Sequence, residues 1–469
     1  MILIQLVGGL LLFSAIIFYV WSFRVNRDKP EYALYLLMLG GLLLRVYTCA
    51  DPSLHSWDER YHALVAKHLA DSPFYPTLYL KPLLAYNYTN WTACHVWLHK
   101  QPFALWCIAL SLKVFGIHTW AVRVPSIIMS TIGIKITYNI AKSFYDKNVA
   151  FIAAFLFSIN GLIVELASGR TDTDHIDVIF MFFILLGVWC AIRQVASRTL
   201  LNTALVGLCM GIAVLTKWLP GIIILPLWLI LSVKKFPLKN IIADSIIILG
   251  IAMAVVLPWQ IYTFYCFPKE ASWEMTFNGK HFFDAVEGHS GYIFFYINEL
   301  RISYGELVYV PICIALISVL RKRQMRDVLF VVWFFIVYLF YTIAATKMAA
   351  YTVIAAPAVF VIIAHIYQIF RMKKQLYLRI VAYLLLLLPI RYTIERIKPL
   401  SGFYIEEAWD VGVSDLARSQ RNADRTIVFN CPHAIEAMFA TDHICYEQTP
   451  SSYVIKQLQN SGYTILIYK

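Results

Sequence analysis

The chain has 469 residues, of which 60% are hydrophobic and only 14% charged, with a mean hydropathy of +0.66. Soluble domains hold about 25% charged residues, so a soluble globular protein is excluded, and long unbroken apolar runs exclude a transmembrane barrel built from short alternating strands. The net charge of +12 does not point to nucleic acid. The basic residues sit in short gaps between apolar runs: Arg24, Arg27 and Lys29; Lys142 and Lys147; Arg193 and Arg198; Lys234, Lys235 and Lys239; Arg321, Lys322, Arg323 and Arg326; Arg371, Lys373, Lys374 and Arg379. That is the charge signature of cytoplasmic loops.

In chain order, Met1 to Trp21 lacks a basic leader and a small-residue cleavage site, and reads as a retained first helix. Spans are expected at 2–21, 32–50, 121–141, 149–167, 176–193, 200–216, 219–233, 240–260, 303–320, 328–345, 350–370 and 377–393, each close to the ~20 residues that cross a bilayer. With every basic gap in the cytoplasm, 51–120, 168–175, 261–302, 346–349 and 394–469 face the exterior. The run 103–115 is short and contains Lys113; a span there would carry every later basic gap outside, so it reads as a helix lying at the interface.

The expected fold class is an all-α polytopic membrane protein of about 12 helices, with a large exterior first loop and a small C-terminal α/β domain. Residues 1–393 form the membrane domain with its exterior loops 51–120 and 261–302, and 394–469 form the exterior domain. In the latter, charge rises and apolar runs shorten. Thr426 to Phe429 and Tyr463 to Tyr468 read as strands, and Pro432 to Phe439 and Ser452 to Gln459 as helices.

Of nine cysteines, Cys49, Cys107, Cys190, Cys209 and Cys313 lie in or beside apolar runs as small core residues. Cys431 and Cys445 share the exterior tail and can pair in an oxidising compartment. No Cys-x-x-Cys motif occurs. Asn87-Tyr-Thr89 and Asn90-Trp-Thr92 match the N-glycosylation pattern, which is common by chance.

The polar residues that carry chemistry all fall on the exterior side of this topology. Asp58-Glu59-Arg60-Tyr61 opens the first large loop and His99-Lys100-Gln101-Pro102 closes its polar part. Arg170 to Asp177 fills the next exterior hairpin, Lys217 and Lys347 end helices, and His281, His289, Tyr304 and Glu306 flank the second large loop. Each has a plain alternative. Asp58 and Glu59 suit the first turn of any helix, Lys217 and Lys347 can snorkel, and the histidines can be ordinary loop residues. The chemical reading gives them distinct tasks. Asp58 and Glu59 are the catalytic carboxylates, able to take a proton from an acceptor hydroxyl or amine. Lys100, Arg170, Lys217 and Lys347 are placed to hold a phosphate. Arg60, Tyr61, His289, Tyr304, Glu306 and Tyr351 line the substrate pocket. His99, Asp174, His175 and Asp177 offer ligands for a divalent cation; no other cofactor is expected. Such a site suits a lipid-linked phosphate donor, with its tail in the bilayer and its reacting carbon in an exterior cavity.

Over most of residues 50–360 the chain resembles the integral-membrane GT-C glycosyltransferases of family 39. Asp58-Glu59-Arg60-Tyr61 is similar to the family's first-loop acidic motif. Lys100-Gln101-Pro102-Phe103 with Trp106 is similar to its Lys-Pro-Pro-Leu-x-x-Trp element. Phe115-Gly116, Arg123-Val124-Pro125-Ser126, Leu215-Thr216-Lys217 with Gly221 and Pro226, Pro258-Trp259, and Thr346-Lys347 with Tyr351 and Pro357 follow in order. The resemblance implies inverting transfer from a polyprenyl-phosphate sugar, with Asp58 as general base or acceptor-positioning carboxylate and Lys100 on the donor phosphate. It departs in two places. His99 stands where the lipid A transferases carry Glu, and Asp172, Asp174 and Asp177 compete as the third-loop acid. The expected partners are a polyprenyl-phosphate-linked sugar, a protein, lipid A or other envelope acceptor, and membrane lipids. The expected location is a bacterial inner membrane, with the site facing the periplasm. The rival readings are a transporter, which would place charges near the bilayer midplane on broken helices, and a non-catalytic membrane subunit.

Overall fold

A computed structural model of the protein describes residues 2–171, 174–322, 324–398 and 425–468. Helices α1 (Ile2–Val25) and α2 (Pro30–Thr48) pack as a hairpin. Next come α3 (Asp58–Asp71) and α4 (Pro102–Phe115), both in the first large loop, then α5 (Thr119–Lys142), α6 (Lys147–Ile159), α7 (Gly161–Ser168), α8 (His175–Ala196) and α9 (Leu200–Lys217). A 3-10 turn, Leu219–Ile223, leads into α10 (Ile224–Ser232). It is followed by α11 (Leu238–Cys266), α12 (Pro268–Phe283), α13 (Phe295–Tyr304), α14 (Tyr309–Lys322) and α15 (Met325–Ile343). A second 3-10 segment, Ala349–Ala355, runs into α16 (Ala356–Arg371), and α17 (Leu376–Ile397) ends the bundle.

Local chemistry sets the boundaries. Asp146 accepts from the amides of Asn148 and Val149 to start α6, Thr199 from that of Asn202 to start α9, and Asp174 from that of Ile176 to start α8. Asn160 caps α7 through the amide of Ile163 and donates to the Ser303 carbonyl at 2.7 Å, so the expected span 149–167 is two helices bent by 45°. At Gly305 the backbone takes φ +91 and the chain turns by 114° between α13 and the Glu306–Lys322 segment. Among the described residues, seven helices are long and apolar enough to cross a membrane, or up to nine if each bent pair counts as one span. All of these fall on expected spans. The other expected positions are held by α2 and α5, which carry the buried Arg45 and Arg123, and by the short Leu219–Ser232 segment.

The main core lies among α5, α6, α8, α15 and α16, where Phe157, Phe180, Phe330, Phe360 and Trp333 are fully buried. From Val149 to Ile159 every residue of α6 is buried, as expected of a helix surrounded by others. A second cluster joins Leu64 and Leu69 of α3, Trp97, and Ile108 and Leu112 of α4 to Val428, Ile435 and Phe439 of the C-terminal segment. α4 has 14 residues and packs on α3 and α5.

The C-terminal segment contains β1 (Thr426–Phe429), α18 (Ala434–Ala440), β2 (Ile444–Cys445), α19 (Ser452–Asn460) and β3 (Thr464–Ile467). The strands form a parallel sheet in the order β2-β1-β3, with Val428 opposite Cys445 and Phe429 opposite Ile467. The two-residue β2 is too short to announce itself in sequence. This segment docks on α3. Lys67 donates to the carbonyls of Met438 (2.8 Å), Phe439 (3.1 Å) and Thr441 (2.7 Å) at the end of α18, and Arg60 bonds Glu436 at 3.1 Å.

Candidate active site at one end of the bundle

The site grows from the start of α3. Trp57 takes φ +73, a conformation that costs a non-glycine residue about 1–3 kcal/mol and that turns the chain abruptly into the helix. The two carboxylates of the first turn then part company. Asp58, only 9% exposed, pairs with Lys100 Nζ at 3.2 Å. Burial alone would lower the Lys100 ammonium's pKa, but Asp58 outweighs it and holds the pKa above its ordinary value.

Glu59 faces the other way, into a closed network. It accepts from Arg123 Nε at 2.7 Å and Nη2 at 3.1 Å, from the His55 amide at 2.6 Å, and lies 2.7 Å from His55 Nδ1 and 3.1 Å from His175 Nε2. Burial would raise its pKa; Arg123, His175 and His55 together hold it well below the usual carboxylate range. Arg123 also donates to the carbonyls of Cys49, Asp51 and Ser53, so one side chain ties α5 to the whole entry of the first loop. Gly169 takes φ +74, and a Cβ there would stand 2.6 Å from the Glu59 carboxyl carbon, so both conformation and space demand glycine. Both Glu59 oxygens are engaged by Arg123, His55 and His175, whereas the Asp58 carboxylate meets Lys100.

The third-loop acids are brought to the same end of the bundle but to different partners. Asp174 lies 2.7 Å from His62 Nδ1, both wholly buried. Asp177 is paired with Lys217, whose ammonium sits 4.8 Å from the centre of the Tyr351 ring. His175 also meets Ser126 Oγ at 3.0 Å, and Asp172 lies outside the described residues. His99 stacks on Trp91 at 4.3 Å and faces Glu274 at 3.4 Å. The four candidate metal ligands, His99, Asp174, His175 and Asp177, therefore each face a separate partner. Among the described residues no group of three or more His, Cys, Asp or Glu is arranged to hold a metal ion. The described residues alone do not fit a metal centre.

Other expected roles are redrawn by their contacts. Lys347 spends its three protons on the carbonyls of Tyr341 (2.9 Å), Thr342 (2.7 Å) and Ala344, capping α15, so no proton remains for a phosphate. Lys347→Met is expected to cost about 1–2 kcal/mol of stability while leaving donor KM unchanged, measured by thermal unfolding beside donor titration. Arg170 is bound to Asp51 through Nε and Nη2, each at 2.8 Å. Of the pocket residues, Arg60 is committed to Glu436, Tyr61 packs edge-on against Trp91 at 4.9 Å, Tyr304 is buried against Phe360, and Glu306 accepts from Arg391 and Tyr392. Tyr351 lies within electrostatic range of Asp58, Asp177 and Glu287, and the His289 ring lies 6.3 Å from that of Trp57.

Sequence reasoning missed Arg123 as a hub, and it missed Glu274 and Glu287. A charged residue inside an apolar helix was the available signal for Arg123. Glu274 gave no signal, because its polar helix α12 looks solvated until its burial is known. Burial pushes Glu274 up to about 8, with Lys100 opposing and Glu287 reinforcing. His99 is driven well below its ordinary value by burial, then by Lys100 and His281. Their contact is thus between neutral groups at neutral pH, not an ion pair. Trp91 Nε1 donates to Glu287, which closes this wall of the site. Because the folded protein keeps the Glu274 proton up to about pH 8 while the unfolded chain loses it near 4.5, Glu274 destabilises the fold progressively as pH rises across that window. Glu274→Gln is expected to raise the unfolding midpoint at pH 8 more than at pH 5, read by thermal scans at the two pH values.

Comparison with known proteins agrees with this architecture. Residues 99–262 match the family described as dolichyl-phosphate-mannose-protein mannosyltransferase. The chain is 30% identical over 184 residues to an undecaprenyl phosphate-alpha-4-amino-4-deoxy-L-arabinose arabinosyl transferase of Pseudomonas savastanoi pv. phaseolicola, covering 37% of this chain and 33% of that protein. The chain spans about a third of the length of such curated relatives. Among solved structures it superposes on ArnT from Cupriavidus metallidurans bound to undecaprenyl phosphate with a TM-score of 0.66 and 13% identity, covering 92% of this chain and 88% of that one. It also superposes on the Archaeoglobus fulgidus oligosaccharyltransferase with a TM-score of 0.60 and 13% identity, covering 90% and 65%. The chain thus shares the GT-C fold of these solved structures, and its residues 99–262 are similar to the dolichyl-phosphate-mannose-protein mannosyltransferase family.

Proposed function

We propose that this protein is an inverting glycosyltransferase. It moves a sugar from a polyprenyl-phosphate donor to a protein or lipid acceptor at the periplasmic face of a bacterial inner membrane. The observation that carries the reading is the Asp58–Lys100 pair at 3.2 Å, at the end of the bundle where the charged loops meet. A relative sharing 30% identity is named for a sugar transferred from undecaprenyl phosphate.

In this reading the donor's phosphate draws the Lys100 ammonium toward itself. Asp58, only 9% exposed, is then left as an unpaired carboxylate facing the acceptor. It takes the acceptor's proton as the acceptor oxygen or nitrogen bonds to the anomeric carbon. The carbon–oxygen bond to the phosphate breaks on the opposite face, which inverts the centre, and polyprenyl phosphate departs with its charge held by Lys100. Lys217, balanced by Asp177 and resting over Tyr351, supplies a second cation on the rim. Glu59 and Arg123 touch no reactant and fix the direction of α3.

The test is transfer by purified protein in lipid discs, with radiolabelled polyprenyl-phosphate sugars offered to a peptide and to lipid A. Labelled product is expected, and its identity assigns the acceptor class. Absence of both transfer and donor binding overturns the reading.

A further inference from the structure

We propose that Cys431 and Cys445 form a disulfide that staples the loop carrying α18, and so holds the clamp on α3. Cys445 ends β2, and Cys431 lies two residues beyond the end of β1. Cys445 pairs with Val428 in the strand register, the Cys431 amide donates to the Tyr446 carbonyl at 3.0 Å, and the Tyr446 amide donates to the Val428 carbonyl at 2.8 Å. The Cys431 amide is thereby bonded to the residue that follows Cys445, which brings the two cysteines close enough for a disulfide. Both side chains are buried, at 2% and 0% exposure, in the cluster that also contains Leu64 and Leu69 of α3. The two thiols lie against each other.

Cys190 and Cys209 also touch, between α8 and α9. They lie inside the apolar bundle, which offers no route for a thiol–disulfide oxidase. The inference for Cys431 and Cys445 rests on the periplasmic placement of this segment proposed above, since such bonds persist in oxidising compartments. The chemistry balances with a disulfide-bearing oxidase of that compartment. The two thiols give up two protons and two electrons and form one S–S bond, while the oxidase disulfide is reduced to a dithiol.

The loop so closed presents Glu436 to Arg60 and the carbonyls of Met438, Phe439 and Thr441 to Lys67. The bond would therefore restrain the segment that grips the helix bearing Asp58, at a point outside the reacting groups.

The experiment takes full-length protein from its own membrane, alkylates it under denaturing conditions without reductant, and maps the peptides by mass spectrometry. A single linked peptide pair joining Cys431 to Cys445 is expected, with reductant releasing both and lowering the unfolding midpoint. In the Cys431→Ser protein, Cys445 should carry the alkyl tag without reductant, and the Cys431→Ser/Cys445→Ser protein should show no reductant-dependent shift. Both thiols tagged in the unreduced native protein overturns the proposal. Protease added to intact spheroplasts separates the two readings. If the C-terminal segment is cut and both thiols are free, the disulfide alone is wrong; if the segment is protected and both are free, the periplasmic placement falls with it.

Discussion

Asp58→Asn is expected to remove transfer while leaving the fold in place. Asparagine has the same shape and can still accept from Lys100 at the observed 3.2 Å, but it cannot take the acceptor's proton. General-base removal typically costs ~10²–10⁴-fold in rate, and the loss should fall on kcat, with donor affinity changed little. The Lys100→Met variant separates the two halves of the pair, because its loss should appear first in donor KM. The measurement is steady-state transfer of labelled sugar, with the unfolding midpoint recorded for every variant. A rate for Asp58→Asn within tenfold of the native protein, at an unchanged midpoint, would sink the base assignment.

Arg123→Ala should have the largest effect on stability. The guanidinium is wholly buried, bonds Glu59 twice and donates to three loop carbonyls. Removing it strands a buried carboxylate, a loss of about 3–5 kcal/mol where one partner of such a pair is deleted. The double variant Glu59→Gln/Arg123→Met should recover part of that loss, because no unpaired charge remains. The pH dependence has a definite sign. Glu59 titrates well below its ordinary 4.5 in the folded protein, so the network's contribution is complete above that value and is lost as pH falls through the folded pKa. Thermal or denaturant unfolding between pH 7 and pH 3 checks both statements. An Arg123→Ala midpoint equal to that of the native protein contradicts the hub assignment.

Periodicity was enough to locate the helices, because hydropathy acts locally on the chain. The strands at Thr426–Phe429 and Thr464–Ile467 were legible for the same reason. Partner choice was not. Asp58 and Glu59 are adjacent in sequence, yet successive positions on a helix point about 100° apart, and here one meets Lys100 while the other meets Arg123. Lys347 reads as a cation near a membrane surface until its three carbonyl acceptors are known. The weight of Glu274 comes wholly from burial among residues distant in the chain, which no local pattern encodes.

The clamp on α3 also has a consequence in time. Arg60 and Glu436, which meet in the folded protein, are 376 residues apart in sequence. At about 5–20 residues per second of synthesis, the first loop is made some tens of seconds before the segment that covers it. During that interval the apolar face of α3, including Leu64 and Leu69, has neither Ile435 nor Phe439 to pack against. Assembly of this end of the protein is therefore a late event: the bundle can insert helix by helix, but the helix bearing Asp58 gains its final support only after the sheet segment has been made and delivered to the same side. A ribosome stalled before residue 425 would leave an inserted bundle with an unfinished first loop, a state open to proteolysis that the completed chain closes off.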